Sequence, residues 1–131
     1  MAVPETILVA YDDPTTPTLG RAADLAQALG ATLIVTTVAA TGDGEVTEEA
    51  ERLAHARLER ARAYLDERGL PADLVPATGA PAKAIVELAA ERNADLIVVG
   101  TRKKGFFDRL VEGSVNQDVL RRAGCDVLVV Y

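Results

Sequence analysis

The chain has 131 residues, enough for one domain with a continuous core, because domains cluster at about 100–150 residues. Hydrophobic residues make up 49% and charged residues 26%, which excludes a disordered or fibrous chain, and an aromatic share of 4% with no Trp leaves a core of Val, Leu, Ile and Ala. The formal net charge of -6 argues against a general affinity for DNA or RNA, which needs a dominant basic surface. One cysteine, Cys125, and one histidine, His55, supply neither an intrachain disulfide nor a Cys/His zinc set. No export signal and no apolar run of membrane-spanning length is read, so the expectation is a cytoplasmic protein without membrane contact.

Taken in chain order, the first apolar run is Thr6 to Tyr11, continuous and not alternating, as in a strand buried on both faces. A helix is predicted over Thr18 to Leu29, with Leu19, Ala22, Ala23, Ala26 and Leu29 on one face, Thr16 as N-cap, Pro17 in the first turn and Gly30 as the stop. The second strand covers Thr32 to Val38 and is followed by an exposed loop containing Thr41, Gly42, Asp43 and Gly44. A long helix is predicted over Thr47 to Arg68, with Ala50, Leu53, Ala54, Leu58, Ala61 and Leu65 inward and Gly69 as its stop. A strand at Asp73 to Ala77, a helix at Pro81 to Arg92 facing the sheet through Ile85, Leu88 and Ala89, and a strand at Asp95 to Val99 come next. A fourth helix over Ser114 to Ala123, with Val115, Val119 and Leu120 inward, precedes a last strand at Asp126 to Tyr131, expected at a sheet edge.

Strict alternation of strand and helix with right-handed crossovers predicts an α/β fold: a five-stranded parallel, doubly wound sheet with four main helices in one domain, 1–131. Ligands on such sheets bind outside the carboxyl ends of the strands, where the winding reverses. The loops after Tyr11, Val38 and Val99 are therefore the places to look.

The strongest local signal is the stretch Gly100 to Ser114, GTRKKGFFDRLVEGS, which leaves a strand and enters a helix. A phosphate would find backbone N–H groups and a positive helix end there. Gly100 and Gly113 let the backbone approach a ligand or adopt positive φ, and the Ser114 hydroxyl can donate to a phosphate oxygen. A plain reading stands beside this one, in which Ser114 is an N-cap and the glycines are turns. Arg102, Lys103, Lys104 and Arg109 put four cations in the same loop, either to hold phosphates or as a solvated basic loop that meets acidic residues of a partner subunit. Asp12 and Asp13 have no further metal ligands near them in the sequence, and Asp13-Pro14 reads as a turn. His55 reads as surface-facing, Cys125 as a small buried thiol, and Phe106-Phe107 as packing or a subunit contact.

The run VVG, followed thirteen positions on by GSV and then VLRRAGCDVLVV, resembles the C-terminal half of universal stress proteins. The opening ILVAYDD and the stretch TGAPAKAIVELAAERNADLIVVG are similar to the same family, so that the resemblance extends over nearly the whole chain. It implies a Rossmann-like, adenine nucleotide alpha hydrolase-like fold and a stress-response module. Its ATP-binding branch carries a loop of Gly, two residues, Gly, nine residues, Gly, then Ser or Thr. Gly100, Gly113 and Ser114 keep the outer spacing, while Lys103 stands at the middle glycine. The resemblance further carries Asp12 to the adenosine-contacting aspartate and Val38 to the residue whose backbone faces adenine. The site it implies comprises Asp12, Val38, Gly100, Lys103, Gly113, Ser114 and Val115 around ATP or another adenine nucleotide, with Mg if ATP is bound. A homodimer through the C-terminal strand, Val127 to Tyr131, is implied as well. The alternative that Lys103 raises is a dimeric stress protein acting through protein contacts without nucleotide. Enzymatic turnover is at most that of a slow ATPase, since no water-activating residue is evident.

Overall fold

Runs of Val, Ile and Leu without polar alternation have no face to offer water, and in the computed structural model three of them, within 6–10, 32–39 and 96–100, become the middle of a sheet. The structure describes residues 3–11, 17–39, 45–100 and 117–131. The strands are β1 (Thr6–Ala10), β2 (Thr32–Ala39), β3 (Ala72–Thr78), β4 (Leu96–Gly100) and β5 (Asp126–Val130). They pair in parallel throughout, in the order β3-β2-β1-β4-β5, so the expected five-stranded parallel sheet is present and β5 lies at an edge as expected. β3 forms the other edge and carries Pro76, a residue without the N–H that a central strand must donate to its neighbour.

Helices cover both faces. α1 (Thr18–Leu29) and α2 (Glu48–Glu67) lie over one, burying Ala22, Ala26, Leu58, Ala61 and Leu65 against Ile7, Val9, Leu33, Val35 and Val98. α3 (Pro81–Glu91) and the helical residues 117–122 lie over the other, where Ile85, Leu88, Ala89 and Val119 meet Leu8, Ile34, Ile97 and Val99. Alanines on the helices let backbone approach sheet closely, and each fully buried Val, Leu or Ile contributes roughly 1.5–3 kcal/mol. The result is a doubly wound Rossmann-like fold.

The helix termini follow local chemistry. Gly30 ends α1 in the left-handed conformation, φ 66°, where a Cβ would be strained, and its N–H bonds the Ala26 carbonyl. At the other end the cap position belongs to Pro17, whose carbonyl accepts the Arg21 amide at 2.9 Å, and not to Thr16, which lies outside the described residues. Thr47 caps α2, its Oγ1 accepting the Ala50 amide at 3.1 Å, with Glu48, Glu49 and Glu51 following at the positive end. Arg68 closes α2 and reaches back to the Tyr64 hydroxyl at 2.9 Å, to Asp24 at 2.7 Å and to Gln27, tying α2 to α1. The Asp95 carboxylate accepts the Glu5 and Thr6 amides at 2.8 and 2.9 Å, fastening the start of β1 beside β4.

Three leucines expected inside are exposed: Leu29 at 39%, Leu53 at 50% and Leu120 at 52%. The reason is angular. Successive helical residues are 100° apart, so Leu53 and Leu120 point away from buried Ala54 and Val119, and Leu29 sits in the last turn of α1, beyond the sheet. Val115 and the expected loop at 41–44 lie outside the described residues.

Candidate functional site

The chain runs from β1 through α1 to β2 and on to β3, then crosses beneath the sheet through α3 to enter β4 on the far side of β1. The winding therefore reverses between β1 and β4, and folds of this type bind their ligands outside the carboxyl ends of the strands at such a reversal. Tyr11, buried, closes the end of β1, its amide donating to the Thr36 carbonyl at 2.9 Å. Val38 lies near the end of β2 in register with Ala77, and Gly100 ends β4 in register with Val130.

Of the seven expected site residues, the described part contains these last two, on strands separated by β1. Asp12, Lys103, Gly113, Ser114 and Val115 lie outside the described residues, as do Arg102, Lys104, Phe106, Phe107 and Arg109. Val38 is half-buried and packs on the α3 side of the sheet. Just before it, Thr36 and Thr37 are buried with hydroxyls that have no partner among the described residues, although their polar atoms are cut off from water.

Gly100 is a glycine for a reason the sequence does not reveal. Its φ lies outside the left-handed region, so backbone freedom does not require it. A Cβ on Gly100 would instead stand 2.0 Å from Oγ1 of Thr18 and 3.2 Å from its Cβ. Thr18 is itself buried, at the first position of α1, and this contact accounts for glycine at 100 without a ligand. Sequence reasoning took Thr18 only as the start of a helix; no periodicity signals that its side chain turns inward onto another strand.

A second concavity, a groove of 450 Å³, runs between α2 and the β3 edge, with Ala39, Ala54, Leu58, Leu74 and Pro76 as apolar lining and Glu51, His55, Glu59, Arg62 and Thr78 completing it. His55 is exposed as expected, its Nε2 3.8 Å from Glu59 Oε1. Neither Val38 nor Gly100, the expected site residues among the described ones, lines this groove. Among the described residues no three His, Cys, Asp or Glu side chains gather as a metal site, and no helix is long and apolar enough to cross a membrane. Cys125 is half-buried and not fully buried, since it precedes an edge strand with a neighbour on one side only. Burial, then the charges of Asp126 and Asp95, push its thiol pKa above the usual value.

The fold and the reversal at β1 and β4 define a doubly wound α/β domain of the type that receives ligands at its strand ends. The family model described as the universal stress protein family matches residues 4–131, and the chain belongs to that family. A universal stress protein of Thermus aquaticus is 38% identical over 134 aligned positions, spanning 96% of this chain and 98% of that one. Among solved structures, the fold is similar to a universal stress protein in complex with cAMP, with TM-score 0.78, 30% identity and 99% of each chain covered. It is also similar to the Archaeoglobus fulgidus universal stress protein in complex with dAMP, with TM-score 0.79, 25% identity and coverage of 97% and 98%.

Proposed function

We propose that this protein is a stress-response regulatory module that binds ATP or another adenine nucleotide at the carboxyl ends of β1, β2 and β4. The observation that carries the reading is the strand reversal at β1 and β4, with Gly100 ending β4 and the segment that reaches Gly113 and Ser114 leaving from it. The described strand ends suit such a ligand in kind: Val38, whose side chain packs into the core on the α3 side, leaves its backbone to face a base, and Gly100 ends β4 beside the reversal. The complexes of two relatives with cAMP and dAMP support an adenine nucleotide over other ligands. In this reading Asp12 and Val38 hold the adenosine end, Gly100, Gly113, Ser114 and Val115 the ribose and phosphates, and Mg accompanies ATP. Lys103, with the cations around it, supplies charge where the family brings bare backbone. Turnover is at most slow, and the protein works as a cytoplasmic homodimer joined through Val127 to Tyr131 of the β5 edge.

A second reading has a specific observation behind it. Lys103 carries a Cβ and a long side chain at the middle glycine of the phosphate loop, which favours a dimeric protein acting through protein contacts alone. Calorimetric titration of nucleotide-stripped protein with Mg-ATP and with AMP, repeated on Lys103→Gly, separates the two. The nucleotide reading expects saturable binding by the wild type. Binding by Lys103→Gly alone identifies the lysine as a block and favours the second reading, and silence in both overturns nucleotide binding.

A further inference from the structure

Gly100 and Thr18 are far apart in sequence, yet Thr18 Oγ1 occupies the place a side chain at 100 would need, 2.0 Å from where its Cβ would stand. Thr18 Cβ and Cγ2 follow at 3.2 and 3.4 Å, so the whole side chain is laid against the backbone of β4. That backbone is the last residue of the strand, and Thr18 is the first residue of the helix that follows β1. The helix that follows β1 is thus packed at its amino end against the carboxyl end of β4, beside the ladder that pairs β1 with β4. We infer that Thr18 is a positioning residue, whose side chain, seated on Gly100, holds the amino end of α1 against the carboxyl end of β4, beside the point where the winding reverses.

The contact has the form of a lock. Thr18 is 3% exposed, and a hydroxyl-bearing residue at a first helical position commonly faces water, so its burial here needs the space that only glycine leaves. The two ends of α1 differ accordingly. The carboxyl end stops at Gly30 with an exposed Leu29, whereas at the amino end the Thr18 side chain lies against the backbone of β4. Binding sites lose affinity when supporting residues let the geometry drift by more than about 0.5 Å. The consequence for binding rests on the nucleotide reading above; the lock itself does not.

The test is a cycle of Thr18→Ala, Gly100→Ala and the double variant, with Thr18→Ser as the conservative control. Gly100→Ala places its new carbon on Oγ1, and a melting-temperature fall of roughly 5–15 °C is expected from overpacking. The double variant, in which the nearest remaining atom is Thr18 Cβ at 3.2 Å, should recover at least half of that fall. Losses that simply add would overturn the lock. Hydrogen exchange reads position directly: in Thr18→Ala the Arg21 amide, bonded to Pro17, should exchange about tenfold faster, while the Ala31 amide, bonded to Ala26 at the far end of α1, keeps its rate. Thr18→Ser should hold both rates. Equal change at both amides, or none at Arg21, would overturn the positioning role. In whichever background binds Mg-ATP, wild type or Lys103→Gly, adding Thr18→Ala, which leaves every proposed nucleotide contact in place, should weaken affinity about tenfold while Thr18→Ser does not, and an unchanged affinity in Thr18→Ala sinks the link to binding. If neither background binds, the nucleotide reading fails by itself, and the melting and exchange results alone uphold or overturn the inference.

Discussion

Thr36 and Thr37 lie in β2 with their hydroxyls buried and unpartnered among the described residues, Thr36 facing α3 with Ile34 and Thr37 the α1 and α2 side with Val35. A buried hydroxyl without a hydrogen bond loses its hydration and gains nothing in return. Thr37→Val keeps the shape and removes the oxygen, so urea unfolding should show a gain of about 1 kcal/mol. A loss of similar size would mean that the hydroxyl has a partner. Cys125 makes a different residue-scale prediction. Its folded pKa is raised, chiefly by burial, so the native thiol keeps its proton where the unfolded thiol has begun to lose it. The stability linked to this group is therefore complete below the ordinary thiol value and declines as pH rises through it. Iodoacetamide should label native Cys125 more slowly than the urea-unfolded chain at about pH 8.5, because the thiolate is the reacting species. Equal rates would contradict the raised value.

At the scale of elements, the width of the buried stripe on α2 decides which leucines matter. Ala54, Leu58, Ala61 and Leu65 recur at spacings of four, three and four, a seam one residue wide that settles over β2 and β3. Leu53 lies a third of a turn to the side. Leu58→Ala is expected to cost about 2–5 kcal/mol in urea unfolding, and Leu53→Ala to stay within about 0.5 kcal/mol. Comparable costs at the two positions would refute the assignment of faces. Arg68 belongs to the same scale. Its guanidinium gathers Asp24, Gln27 and the Tyr64 hydroxyl, lies 5.6 Å from the centre of the Tyr64 ring, and fixes how α2 lies beside α1.

At the scale of the whole molecule, the two sheet edges are treated differently. β3 carries Pro76, which spoils the regular row of donors that a further strand would use. β5 reads DVLVV and has no proline, with Leu128 37% and the following Tyr131 70% exposed. An apolar edge of that kind invites pairing, and the proposed dimer places it against its own copy. Sedimentation should then give a dimer for the wild type and a folded monomer for Leu128→Asp. A wild-type monomer at tens of micromolar would exclude the β5 interface.

What the sequence determined by itself was the alternation of elements and their order. Continuous Val, Ile and Leu runs bury on both faces, 3.6-residue periodicity marks the helices between them, and Gly30 ends α1 because it alone turns left-handed without strain. These are local properties, so the parallel doubly wound sheet could be anticipated, and with it the strand ends where a site belongs. The site was legible only as far as motif spacing reaches: Gly100 stood out, but the reason for it did not. Which turn of a helix reaches the sheet, and which side chain from elsewhere fills the space beside a glycine, depend on how elements meet. Leu29, Leu53 and Leu120 were therefore misplaced, and Thr18 went unnoticed. Tertiary structure alone brings the start of α1 onto the end of β4, because that contact joins residues far apart in the chain and follows from crossover geometry, to which no local preference is sensitive.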